Sequence, residues 1–234
     1  MATTARTLLV TGTSSGIGLA AAVGAARAGW TVIATMRDVG KADRLREAAS
    51  AAGVEVDIRP LDVTHPTQAT DVIAAVVAEY GALHAVINNA GAGKLGTTEL
   101  LELDEFRAAM ELNFFGVVRV TQAALPHLRA TGGRVLTVTS VGGVVGQPFN
   151  DAYCAAKFAA EGMLESLHPV AKAVGVAVAV IEPAAVASDF VDNVGIDRDA
   201  LLASAGAYRP RSRAISPAPR ARSPLRSLSP TRQP

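Results

Sequence analysis

Tyr153 and Lys157 stand four residues apart, a step that puts both side chains on one face of a helix, and Ser140 precedes the tyrosine by thirteen residues. A phenol with a pKa near about 10 is a poor base at neutral pH. A nearby ammonium and an oxidised nicotinamide both favour the phenolate and draw that pKa toward the working range. A serine hydroxyl at a strand end can donate to a carbonyl oxygen as charge develops on it. The chemistry open to such a set is proton transfer to or from an oxygen on which charge develops. Taken alone, Tyr-x-x-x-Lys fits equally a solvated lysine beside a packed tyrosine.

Three further segments bear on what such a set would need beside it. TGTSSGIG, residues 11–18, lies between an apolar run and a helical pattern. A strand-to-helix turn presents free N–H groups and the positive end of a helix dipole, which suits a pyrophosphate. Gly12, Gly16 and Gly18 allow a tight turn and close approach, with Ser14, Ser15 and Ile17 between them; a Gly/Ser turn can also simply link strand to helix. In ATMRD, residues 34–38, apolar Met36 stands beside Arg37, so a ribose 2′-phosphate would meet a guanidinium. Asp38 is the competing partner, for the ribose hydroxyl or for a turn, and the balance favours NADP(H) over NAD(H). NNAG, residues 88–91, ends an apolar run at the edge of the sheet where such folds bind ligands, or makes a plain turn.

The elements that must position these residues alternate along the chain. Strands are expected at 6–11, 31–35, 54–58, 84–88, 134–140 and 176–181, and helices near 16–28, 41–52, 66–80, 103–130 and 151–174. Gly29, Gly53, Gly81 and Gly175 follow helical stretches as stop signals. Pro169 predicts a bend at Leu167–His168. Half the residues are hydrophobic and only 4% aromatic, the composition of a helix-wrapped parallel sheet with apolar strands. Strict alternation predicts an α/β fold with right-handed crossovers and a doubly wound parallel sheet carrying helices on both faces.

Together these segments resemble the short-chain dehydrogenase/reductase family over roughly residues 5–195. The resemblance rests on TGTSSGIG, LDVT at 61–64, NNAG, Asn113 in LNFFG, Ser140, and Tyr153-Cys154-Ala155-Ala156-Lys157, in the family's order and spacing. It implies a Rossmann-like fold, with Tyr153 as acid/base and Lys157 on the nicotinamide ribose, lowering the tyrosine's pKa. Ser140 would orient the substrate oxygen, and Asn113 would hold a water in a relay ending at Lys157. Asp62 would bond the adenine amino group with Val63 beside it. Asn89, followed by Ala90 and Gly91, would lie near the adenosine ribose. The segment VIATMRD is most similar to members that use NADP(H) on steroid- or retinoid-like alcohols. The chain departs from the family after the sixth strand. Pro183 is followed by Ala184 in place of glycine, a strained position if φ must be positive, and Ser188 stands where a threonine would contact the cofactor.

From residue 207 onward the periodicity stops. Seven Arg, six Pro and five Ser fill the last 28 residues, with no acidic residue among them. The remaining fifteen basic residues face 21 acidic ones, so the body carries −6 and the tail +7. The expectation is a catalytic domain over 1–206, lacking the family's last strand, and a disordered tail over 207–234. From about Tyr208 the tail is read as a replaced or frame-shifted C-terminus, against a native disordered one. With Tyr208 as the tail's one aromatic residue to stack on bases, specific nucleic-acid binding is not expected. The single cysteine, Cys154, excludes an intramolecular disulfide. The four histidines lack metal-ligand spacing, and no metal is expected. No window reads as a membrane span, and the reading is of a soluble, cytoplasmic protein. A homodimer, where one forms, would use the helices near 103–130 and 151–174. The expected partner is a small alcohol or ketone, with a nucleotide-binding protein lacking turnover, or an unstable truncated enzyme, as the alternatives.

Overall fold

Six parallel strands are hydrogen-bonded in the order β3-β2-β1-β4-β5-β6 in the computed structural model, which describes residues 6–184 and Gly206. The strands are β1 (Thr7–Thr11), β2 (Thr31–Met36), β3 (Asp57–Pro60), β4 (Ala85–Asn88), β5 (Arg134–Val138) and β6 (Ala177–Ile181). The strand order reverses between β1 and β4, and ligands of open α/β sheets bind outside the carboxyl ends at such a switch point. Gly206 falls in a separate unit, Asp197–Pro234. Ser188 and the tail 207–234 lie outside the described residues.

Helices cover both faces because the strands are apolar on both. On one face α1 (Gly16–Arg27) and α2 (Asp43–Ala51) bury Ala22 and Leu45 against Leu8, Val10, Val32 and Ala34. On the other, α3 (Gln68–Tyr80), α5 (Gly116–Thr131) and α6 (Asp151–Ala173) bury Ile73, Val120 and Leu164 against Leu9, Ile33 and Val86. Complete burial of a Leu or Ile side chain is worth about 1.5–3 kcal/mol, so these two layers fix the sheet edge on which the site is built. The four glycines expected to stop helices all have positive φ, between 65° and 83°.

Two expectations need correction. The third strand lies at 57–60, later than 54–58. Ile33 pairs with Asp57, and Arg59 ties that edge down by bonding Asp57 and Glu79. The helix expected over 103–130 is α4 (Leu103–Met110) and α5 joined by a π-helical turn, Glu111–Phe115. Such turns leave i→i−4 bonds displaced and concentrate at functional sites. Pro169 lies inside α6, which continues past it to Ala173. His168 Nδ1 donates to the Val178 carbonyl at 2.9 Å, tying that turn to β6.

Candidate active site

The turn between β1 and α1 is shaped by two glycines that admit no side chain. Gly12 has φ 70°, and a Cβ there would lie 2.8 Å from the Ala90 Cα. A Cβ on Gly18 would stand 2.2 Å from the Gly12 carbonyl oxygen, so α1 rests directly on the turn. Asn89 pins the arrangement from β4: its Nδ2 donates to the Thr11 and Gly12 carbonyls at 3.0 and 2.9 Å. The Asn89 and Ala90 amides in turn donate to Thr11 Oγ1. Ser15 occupies the N-cap of α1 without a side-chain capping bond, and the first turn carries no acidic residue. The amides there are set for an anion.

From this turn a continuous cleft of about 1120 Å³ runs along the carboxyl edge of the sheet. It brings together Gly12, Ser14, Ser15, Gly16, Ile17, Arg37, Asp62, Val63, Asn89, Ala90, Gly91, Ser140, Tyr153, Lys157 and Pro183, each singled out from sequence. Gly18 is absent from its walls, because its work is the packing of helix on turn. Its volume, its glycine turn and the half-buried α1 N-terminus on its wall fit a dinucleotide.

At one end, Asp38 lines the cleft, and its Oδ1 accepts from the Gly40 amide at 2.9 Å and caps a short 3-10 turn, Val39–Lys41. The end of the cleft holding Met36 and Arg37 also holds Lys41 and Arg44. Burial would push the Asp62 carboxyl up, but two hydrogen bonds from Thr64 and the charges of Arg37 and His65 hold it below its ordinary value.

At the other end stand the candidate reacting groups. Tyr153 and Lys157, 5% and 4% exposed, are carried inward by α6. Tyr153 is hydrogen-bonded with Ser140, whose Oγ also accepts from the Gly142 amide at 3.0 Å. Lys157 Nζ donates to the Val138 carbonyl at 3.1 Å and lies 5.7 Å from the Tyr153 ring centre. Burial pushes Lys157 down to about 8, with Glu161 pulling the other way. Burial raises the Tyr153 phenol, the Ser140 bond opposes the rise, and Cys154 adds to it. Lys157, its ammonium engaged by Val138, is not among the groups that shift the phenol.

Asn113 lies behind this wall, 1% exposed, on the π-helical turn. Its Nδ2 donates to the Ala92 and Ala109 carbonyls, and its Oδ1 accepts from the Ala92 amide. A Cβ on Gly91 would sit 2.7 Å from that Oδ1 and 3.6 Å from Lys157 Nζ, so only glycine lets the three approach. Ala184 lines the cleft without positive φ; among the described residues only Phe149, at 63°, is a non-glycine with one. The strain that would have argued against cofactor binding is therefore missing at Ala184.

Sequence reasoning missed Gln147 and Asn150 in the cleft wall, where Asn150 Nδ2 donates to Gln147 Oε1 at 3.1 Å. Asn-Asp at the start of α6 was the available signal. Cys154 is buried, accepting from the Gln147 amide at 3.4 Å. Among the described residues no three His, Cys, Asp or Glu side chains form a metal cluster, and no helix is long and apolar enough to cross a membrane.

Comparison with known proteins gives the lineage of this arrangement. The family profile described as short chain dehydrogenase matches residues 6–199. Bovine retinol dehydrogenase 8 is 36% identical over 230 residues, covering 92% of this chain and 73% of its own. Human 17-beta-hydroxysteroid dehydrogenase type 1 is 41% identical over 198 residues, covering 81% of this chain but 60% of its own, so the chain spans less than two thirds of that relative. An alcohol dehydrogenase structure from the archaeon Thermococcus sibiricus, complexed with 5-hydroxy-NADP, superposes with a TM-score of 0.74 at 30% identity, covering 80% of each chain.

Proposed function

The chain belongs to the short chain dehydrogenase family, and from that premise we propose that it moves hydride between NADP(H) and an alcohol or its carbonyl partner, with Tyr153 as acid/base. The observation that carries the proposal is the Tyr153 phenol, hydrogen-bonded with Ser140 and one helical turn from Lys157, at the far end of the cleft from the α1 N-terminus.

The nicotinamide supplies or accepts the hydride when bound; the remaining work belongs to the side chains. In reduction, Tyr153 gives its proton to the developing alkoxide, and Ser140 donates to the same oxygen. Burial of the phenol suits this direction, since it keeps the proton on Tyr153 until the substrate oxygen needs it. Lys157 would hold the nicotinamide ribose and return a proton toward Tyr153. Asn113, held by Ala92 and Ala109, would seat the water that recharges Lys157. Gly12, Ser14, Ser15, Gly16 and Ile17 would hold the pyrophosphate, Asp62 and Val63 the adenine, and Asn89, Ala90, Gly91, Pro183 and Ser188 the remainder. Arg37 would pair with the 2′-phosphate, a reading favoured by Asp38 being engaged by its own turn.

The relatives named for retinol and a hydroxysteroid suggest a substrate with an apolar body. Val141, Val144 and Val145, 37%, 51% and 59% exposed, offer such a body an apolar surface just beyond Ser140. A homodimer through α4, α5 and α6 fits the exposed Leu103, Phe115 and Phe158, and light scattering of the full chain would read it directly. Screening secondary alcohols and ketones against NADPH and NADH tests the whole reading. Turnover with apolar ketones and NADPH is expected; cofactor binding without turnover on any substrate would overturn it.

A further inference from the structure

Glu161 stands one turn beyond Lys157, so Tyr153, Lys157 and Glu161 follow one another at four-residue steps along one face of α6. The Glu161 side chain is walled in. It is 8% exposed, and its Cγ lies 3.0 Å from where a Cβ on Gly143 would be. Its Oε1 has no hydrogen-bond partner. The Thr139 hydroxyl is hydrogen-bonded to this carboxyl and also lies 3.2 Å from the Ile181 carbonyl, and its single proton can serve only one acceptor.

A buried carboxylate with so few donors is costly unless a cation faces it. The charged groups around it are Lys157 and Glu165 on α6 and Glu182 just beyond β6. Two of those three repel it, and with burial they favour its neutral form; the Thr139 hydrogen bond and, less strongly, the charge of Lys157 favour the ion. The dependence is mutual. Lys157 is desolvated, its neutral partner is the Val138 carbonyl, and Glu161 is the charge that favours its ammonium.

We propose that Glu161 is a positioning residue for the proton-handling pair, the buried counter-charge that keeps Lys157 protonated and seated beside Tyr153. The proposal rests on the reading of Lys157 as a residue of the reaction, and its test is chosen to be independent of turnover. The chain has four lysines, Lys41, Lys94, Lys157 and Lys172. Labelling them with 13C at Cε gives four resolvable titrations in the full chain, with Lys157→Met identifying the one of interest. In Glu161→Gln the Lys157 midpoint should fall by about 0.5–1 pH unit or more, as loss of a nearby opposite charge requires. Glu161→Asp should restore most of the difference. Glu161→Met removes the same charge with an apolar side chain of similar length, and supplies the reading if the glutamine variant does not fold. Where turnover is measured, the high-pH limb of kcat/KM should move down with the midpoint. A merely structural Glu161 would cost stability and leave the midpoint in place, and a Lys157 midpoint unchanged in both charge-removing variants overturns the proposal. Absence of turnover in the unaltered chain would overturn the functional reading alone, since the NMR shift decides the coupling without it.

Discussion

The Lys157 ammonium donates to the Val138 carbonyl at 3.1 Å, so a charge 4% exposed is held at the very end of β5 by one backbone acceptor. That acceptor precedes Thr139 and Ser140, and Ser140 is hydrogen-bonded with Tyr153. Strand β5 and helix α6 therefore hold lysine, serine and tyrosine by two positions, Val138 and Ser140, two residues apart at one strand end. A shift of either element by one residue would disperse them.

The buried lysine should be a cost to the fold. Unfolded, Lys157 titrates near 10.5; folded, near 8. Below pH 8 both states hold the proton and the folded state bears the full desolvation. Between 8 and 10.5 the unfolded state binds the additional proton, so stability rises with pH. At roughly 1.4 kcal/mol per pH unit, and allowing for the lost bond to Val138, adding Lys157→Met to Glu161→Met, so that no buried carboxylate loses its cation, should gain about 1–3 kcal/mol at pH 7 over its Glu161→Met parent. Urea unfolding should show that advantage shrinking as pH climbs toward 10.5. A double variant less stable than its Glu161→Met parent at pH 7 would contradict the burial argument.

Removing the Tyr153 hydroxyl should separate chemistry from binding. Tyr153→Phe keeps the ring that α6 buries but cannot transfer a proton, and general acid/base catalysis contributes roughly 10²–10⁴-fold. A kcat lower by that factor, with NADPH affinity within a few-fold in a fluorescence titration, is the expected result. Near-native turnover would rule out Tyr153 as the acid.

Cofactor preference should respond to charge beside β2. Arg37→Ala removes the guanidinium proposed for the 2′-phosphate, so NADPH binding should weaken by about tenfold or more while NADH changes little. Met36→Asp should repel the phosphate and offer the ribose an acceptor, moving preference toward NADH. Titration calorimetry with both cofactors reads the two variants. A parent chain that already binds NADH more tightly would refute the proposed phosphate site.

What the sequence made legible was whatever short-range spacing determines. Tyr153 and Lys157 on one helix face, the glycine turn, and six apolar runs alternating with helices are local patterns, and the six strands and both helix layers follow from them. The failures are tertiary. The edge strand moved to 57–60, where Arg59 pairs with Asp57 beside it and with Glu79 on α3, a partner that its own segment does not announce. The π-helical turn carrying Asn113 has no periodicity signal of its own, since a shift of one hydrogen bond leaves the apolar pattern intact. Glu161 reads as a solvated charge on an amphipathic helix, and only the approach of Gly143 and Thr139 makes it buried. Asp38 had two readings that no composition could separate; it makes the turn, accepting from the Gly40 amide, and it also lines the cleft.

Glycines on the same helix should answer in opposite directions to one added methyl group. In α1, a Cβ on Gly18 would stand 2.2 Å from the Gly12 oxygen and 2.3 Å from Asn89 Nδ2. Both belong to the turn proposed to hold the pyrophosphate, and the first is backbone that cannot swing aside. Gly18→Ala must therefore lift α1 off the turn, with a cost of at least about 1–3 kcal/mol by overpacking, and cofactor affinity should fall with it. Two turns on, Gly24 has nothing within 4 Å of its would-be Cβ, and it is exposed in the helix interior. There alanine only removes backbone freedom from the unfolded chain and adds helix propensity, so Gly24→Ala should stabilise by about 0.5–1 kcal/mol and leave cofactor affinity unchanged. Thermal unfolding with and without NADPH reads both variants on one scale. If Gly18→Ala were as stable as the parent and bound cofactor as tightly, α1 would not rest on the turn, and the close approach on which the anion site depends would have to be abandoned.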